Sequence, residues 1–290
     1  MPHPTVSYDF KGPSRPPKPR RLVQTQGSDG DTLYIEQPVR MVSCDTPEKA
    51  GYAGGPMVAQ PKLDTCRQRL EGGFYAELPE PLIAYLVERL TPDAAHRHIA
   101  AANLATQAFQ KMRTDRLTLP DGKVRQTAVI PAGEFIDPFG RLLAYLSPYY
   151  RNNASDPLPP PGDPRRNTFN LDMIAEGWAA FFPIYPSLPR KDDMNRAIAA
   201  AGDAWDEPKG VWREFGRNLL LGYEYRACIK LGEAATAPTG ITDAFQRTCI
   251  DLRSMHDVGR FGFADVPPPY RLWVWLNDVD RARKDLGFTS

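Results

Sequence analysis

Residues 28–48 read "SDGDTLYIEQPVRMVSCDTPE", and their reading decides the fold. Residues 32–35 and 39–44 carry β-branched and aromatic side chains, the composition of two short strands, and residues 37–38 leave room only for a tight connection. Acids stand at the strand ends. Asp31 closes the turn before the first strand, Asp45 ends the second, and Glu48 follows in a chain turned by Pro47. Arg40 lies inside the second strand, where burial would demand an anionic partner. Two carboxylates converging with a free carbonyl make a hard-oxygen site, suited to Ca2+ rather than zinc. A carboxylate beside it can orient or deprotonate a water, and an arginine fork can hold a phosphate. Each piece alone is ordinary: "GDT" is a turn with a strand start, and "DTPE" equally reads as a capped helix N-terminus.

Outward from this stretch, residues 21–25 add a strand before a polar turn. Residues 49–90 interrupt the pattern. "KAGYAGGPMVAQPK" is turn-rich and loop-like, and a short helix is expected at 80–90, with Leu82, Ile83, Leu86 and Leu90 on one face. "TPDAAHRHIAAANLATQAFQKM" then predicts a strong helix, with Thr91 as N-cap and Pro92 in the first position. Strands are expected at 124–130 and 141–146, joined by "PAGEFIDPFG", and helices at 171–180 and 192–205. Three strands, a helix and two more strands suggest an α+β protein built on a five-stranded OB-fold Greek-key barrel with packed helices.

Composition narrows the function classes. The 290 residues carry 42% apolar and 24% charged side chains, usual for a globular protein. Net charge is +1, which argues against a broad phosphate-tracking surface but not against a small phosphate grip. The 30 prolines cluster between expected elements, and residues 1–20 read as a disordered basic, Pro-rich tail. Cys44, Cys66, Cys228 and Cys249 form no C-x-x-C pair and read as free core cysteines. No apolar run approaches a membrane span, and no leader is visible, so a cytoplasmic location is expected, or a secreted one if a leader was removed. His96 and His98, two apart on a helix, share no face and read as a solvated helix start.

With "DGDT" at 29–32, "VRMVSCDTPE" at 39–48, "DPFGRLLAYL" at 137–146, and weaker matches at 170–186 and 210–212, the chain resembles the staphylococcal nuclease (thermonuclease-like) family over about residues 21–212. The resemblance implies a calcium-dependent phosphodiesterase that hydrolyses DNA or RNA and leaves 3′-phosphate ends. It implies Asp31, Asp45 and Thr46 (through its main-chain oxygen) as Ca2+ ligands, and Glu48 as the residue that activates or orients the attacking water. Arg40 and Arg141 would grip the scissile phosphate. Phe139 stands where the family has a tyrosine. Tyr185 would keep one aromatic of the binding cleft, with Pro183 replacing another; Phe181 and Phe182 are further stacking candidates.

The chain also exceeds the compact core that the resemblance implies. Insertions fall at 49–90 and 151–168. The first is expected to be mobile and to narrow the cleft, favouring single-stranded nucleic acid over duplex. Residues 213–290 form a C-terminal extension, expected to be mainly helical. It contains a helix over "TDAFQRTCIDLRSMHD" and an aromatic stretch "PPPYRLWVWLNDV" that would be an edge or a partner surface. A non-catalytic nuclease-like module that binds nucleic acid or protein is the alternative.

Overall fold

A computed structural model describes residues 37–289. Asp31, the tail at 1–20 and the expected strands at 21–25 and 32–35 lie outside the described residues.

The described chain opens with β1 (Val39–Met41) and β2 (Ser43–Asp45), then α1 (Ala50–Ala53), α2 (Pro56–Glu71), α3 (Glu80–Arg89) and α4 (Ala94–Leu117). A hairpin of β3 (Thr127–Ile136) and β4 (Leu142–Pro148) leads to α5 (Phe169–Ala175), β5 (Ala180–Phe182), β6 (Ile184–Tyr185), α6 (Lys191–Asp206) and α7 (Gly210–Phe215). The last third is α8 (Gly222–Glu233), α9 (Ala237–Ala244), β7 (Arg247–Asp251), β8 (His256–Gly259), β9 (Arg271–Trp275) and α10 (Val279–Leu286). The architecture is mixed α and β. The sheets run β1-β4-β3, β2-β5 and β6-β9-β7-β8, and no closed five-stranded barrel is present among the described residues.

The strand through 39–45 bends between its halves. β1 runs parallel to β4, with Arg40 opposite Leu143, and β2 runs antiparallel to β5, with Asp45 opposite Ala180. Ser43 makes the corner at φ 58°, and its hydroxyl meets that of Tyr145 at 2.8 Å. This change of partner folds Asp45 back towards Arg40.

The insertion at 49–90 is not a loop. Pro56 takes the first turn of α2, and Ala59, Leu63, Cys66 and Leu70 recur at helical spacing on one buried face. They join Leu82 and Leu86 of α3 and Cys228 and Leu231 of α8 in one core. Three glycines in "GYAGGP" mask this periodicity in the sequence. α4 begins at Ala94 rather than at Pro92, with Thr91 donating to the Asp93 carboxylate.

The C-terminal third holds the helices α8, α9 and α10, but it also carries three strands and is no separate appendage. Residues 247–251 form a strand, because Thr248, Cys249, Ile250 and Asp251 are buried on both sides, a pattern that a one-faced helix cannot meet. β9 is internal to its sheet, pairing with β7 on one side and with β6 on the other. Leu272, Trp273 and Val274 are buried, so the aromatic stretch is core rather than a partner surface. A strand from before residue 212 thus shares a sheet with strands from after it. All four cysteines are free and buried. No helix among the described residues is long and apolar enough to cross a membrane.

Candidate functional site

Asp45 lies at the centre of the site and is almost fully buried. Arg40 donates to its Oδ1 at 2.7 Å. A second guanidinium, from Arg226 on α8, meets it with two bonds, Nη1 to Oδ1 at 3.2 Å and Nη2 to Oδ2 at 3.0 Å. Arg226 Nη1 also donates to Glu48 Oε1. Burial alone would raise the Asp45 carboxyl, but Arg226 and Arg40 hold it below the usual carboxylate range. Arg226 in turn is held firmly protonated: burial opposes its charge, but Asp45 and Glu48 outweigh it.

α8 approaches this centre through Gly222, where no side chain intervenes. A Cβ there would lie 2.5 Å from both Asp45 Oδ2 and the Thr46 carbonyl oxygen. Those two oxygens therefore converge, as the resemblance requires of a Ca2+ carboxylate and a main-chain ligand.

His98 supports the chain from behind. Its Nε2 accepts the Glu48 backbone N–H at 2.7 Å, so Nδ1 carries the proton and donates to the Leu220 carbonyl at 3.0 Å. The ring is fully buried and stacks on Tyr225, with centroids 3.9 Å apart. Burial pushes its pKa down to about 3, so it stays neutral. The expected solvated histidine is instead the peg that fixes the backbone of Glu48.

The remaining expected residues divide. Arg141 precedes β4, two residues before Leu143, which the register sets opposite Arg40. Its guanidinium pairs with Asp137, Nη2 at 2.6 Å and Nε at 2.7 Å, in the turn between β3 and β4. Phe139, in the same turn, is 74% exposed, with the Arg141 guanidinium carbon 5.3 Å from its ring. Arg141 is half-buried against Asp137, and Phe139 is open to a ligand. Tyr185 is not: it is buried among Ile250, Leu272, Val274 and Phe288, and its hydroxyl bonds Asp285. Phe181 and Phe182 are also buried. These three rings pack the core rather than line a cleft, because β5 and β6 are covered by strands and helices that the expected domain boundary left out.

Arg226, Gly222 and His98 were missed by sequence reasoning. Arg226 and Gly222 lie outside the region of resemblance, and only their contacts reveal them. For His98 a signal existed: it shares the face of Ala101, Ala102 and Ala105, all buried.

The described residues do not fit Ca2+ as arranged. The chemistry of Asp45 and Thr46 is that of a hard-cation site, but two guanidinium groups hold both Asp45 oxygens. No cluster of three or more metal-ligating side chains exists among the described residues.

No family model, curated protein or solved structure matches the chain.

Proposed function

We propose that the chain acts on the phosphodiester backbone of nucleic acid, as a phosphodiesterase of the thermonuclease type. The observation that carries this reading is the meeting of Asp45, the Thr46 carbonyl, Glu48 and Arg40 at one centre, with half-buried Arg141 and exposed Phe139 in the turn that leads into β4, the strand paired with β1. Arg40 and Arg141 supply forks for a phosphate and balance charge developing on it. This reading assigns to Glu48, whose backbone His98 fixes, the task of orienting a water. A Ca2+ requirement and products ending in a 3′-phosphate belong to the same proposal. They carry a condition: Arg226 must first leave Asp45 and Glu48. Cleavage of single-stranded DNA in Ca2+ and in chelator tests this reading.

The Arg226 lock favours a second reading, a non-catalytic nuclease-like module that binds nucleic acid or protein. In that case both acids serve structure, each neutralised by a guanidinium. Absence of cleavage with retained binding of single-stranded DNA selects it. The preference for single strands no longer has the support of a mobile lid, since residues 56–71 and 80–89 are packed helices.

A further inference from the structure

A cleft opens beside Arg226, lined by Arg226 and Lys230 of α8, by Arg247 at the start of β7, and by the rings of Phe245, Phe263 and Trp273. Its charge is unbalanced. Arg247 Nε is buried with no hydrogen-bond partner among the described residues. Two rings hold the guanidinium instead, its carbon 4.4 Å from the centroid of Trp275 and 5.2 Å from that of Phe182. Burial first, and then repulsion from Arg226, push its pKa down to about 10. Asp45, the carboxylate whose field reaches it, is already committed to Arg226 and Arg40.

Lys230, half-buried, adds a second cation to the cleft; burial lowers its pKa, and the Asp243 carboxylate only partly offsets this. Its ammonium donates to the Asp243 carbonyl at 2.8 Å. It stands four residues after Arg226 on α8, a like-charge pair that an isolated helix disfavours. The acid in the cleft wall, Glu224, is taken by Arg271, by the Tyr85 hydroxyl and by the Leu221 N–H. A buried cation without an anion is costly, and a bound anion removes the cost.

We propose that Arg247, Lys230 and Arg226 form a phosphate-binding site for a phosphate group carried by a nucleotide or by a nucleic-acid strand. A planar guanidinium held flat by rings, an ammonium and a second guanidinium suit the several acceptor oxygens of one phosphate. This site goes beyond the nuclease reading and stands on its own observations, so failure of the chain to cleave leaves it untouched.

Calorimetric titration of the full chain with inorganic phosphate, at fixed ionic strength against chloride, tests it. Saturable binding is expected, with affinity at least about tenfold weaker in Arg247→Met and also reduced in Lys230→Met. Methionine at 247 keeps a flexible apolar stem and removes a half-buried charge whose Nε has no partner among the described residues, so melting in chloride should stay the same or rise. Lys230→Met gives a second, independent variant. Thymidine 5′-monophosphate and thymidylyl-thymidine, which carries one internal diester, separate the sources: tighter binding of the first assigns terminal phosphates, and of the second a strand backbone. No saturable binding by the wild type, or equal affinity in the wild type and both variants, overturns the site.

Discussion

Arg226 meets Asp45 across 181 residues of chain, with two bonds of 3.2 Å and 3.0 Å to a carboxylate that is almost fully buried. One partner comes from the stretch that defines the site and the other from a helix beyond the region of resemblance. Removing one member of a buried pair leaves the other uncompensated, at a cost of about 3–5 kcal/mol. Arg226→Met is therefore expected to destabilise by about that amount in denaturant unfolding, softened because Arg40 still holds Asp45. In a double-mutant cycle with Asp45→Asn, a coupling near zero would contradict the pairing.

Gly222 makes the same point sterically. An alanine Cβ would meet Asp45 Oδ2 and the Thr46 oxygen at 2.5 Å, and neither is a flexible end that can swing away. Gly222→Ala is expected to lose about 2–4 kcal/mol, within the range for overpacking, although alanine is the better helix former. A variant as stable as the wild type would contradict the close approach of α8.

His98 should govern the acid limb. Its pKa falls from an ordinary 6.5 to about 3 on folding, by burial first; the Leu220 carbonyl and Asp45 favour its protonation, and Arg226 opposes it. Between those values the unfolded chain binds a proton that the folded chain does not. Stability is therefore expected to fall as pH drops below about 6.5, continuing towards 3. His98→Asn, which keeps a donor for Leu220 without the titration, should flatten this limb while lowering stability near neutrality. An unchanged acid limb in that variant would contradict the assignment.

Arg141 separates the nuclease reading from folding. Among the described residues its ion pair is with Asp137 in a surface turn, so Arg141→Ala should leave melting nearly unchanged. Under the nuclease reading it should lower cleavage by about 10²–10³, the loss typical of one transition-state donor. Arg141→Lys should not restore it, since an ammonium cannot make the forked contact. Wild-type rate in Arg141→Lys would contradict the phosphate-gripping role.

Much of the fold was legible where periodicity is local. α3, α5 and α6 and the β3–β4 hairpin stand near their expected places because each carries its own apolar face or alternation. The acidic centre was legible too, since Arg40, Asp45 and Glu48 lie within one short stretch. What failed depended on distant partners. Residues 247–251 have an apolar spacing that suits a helix, yet pairing with β8 on one edge and β9 on the other makes them a strand. Tyr185 looked like a cleft aromatic because β9, which covers β6, comes almost a hundred residues later. The glycines at 51–55 suggested a loop, but the packing of α2 on α8 decided the matter. Arg226 could not be read at all: nothing in "GYEYRACIK" marks one arginine as the partner of Asp45.

The central claim is that Asp45, Glu48 and Arg40 form a phosphodiesterase centre. Digestion of end-labelled single-stranded DNA by the full chain, in Ca2+ and in excess chelator, with Glu48→Gln run beside it, tests this most directly. Cleavage in Ca2+ that stops in chelator and falls at least about a hundredfold in Glu48→Gln is the result predicted. No cleavage in Ca2+, or cleavage that proceeds equally in chelator and in Glu48→Gln, would contradict it.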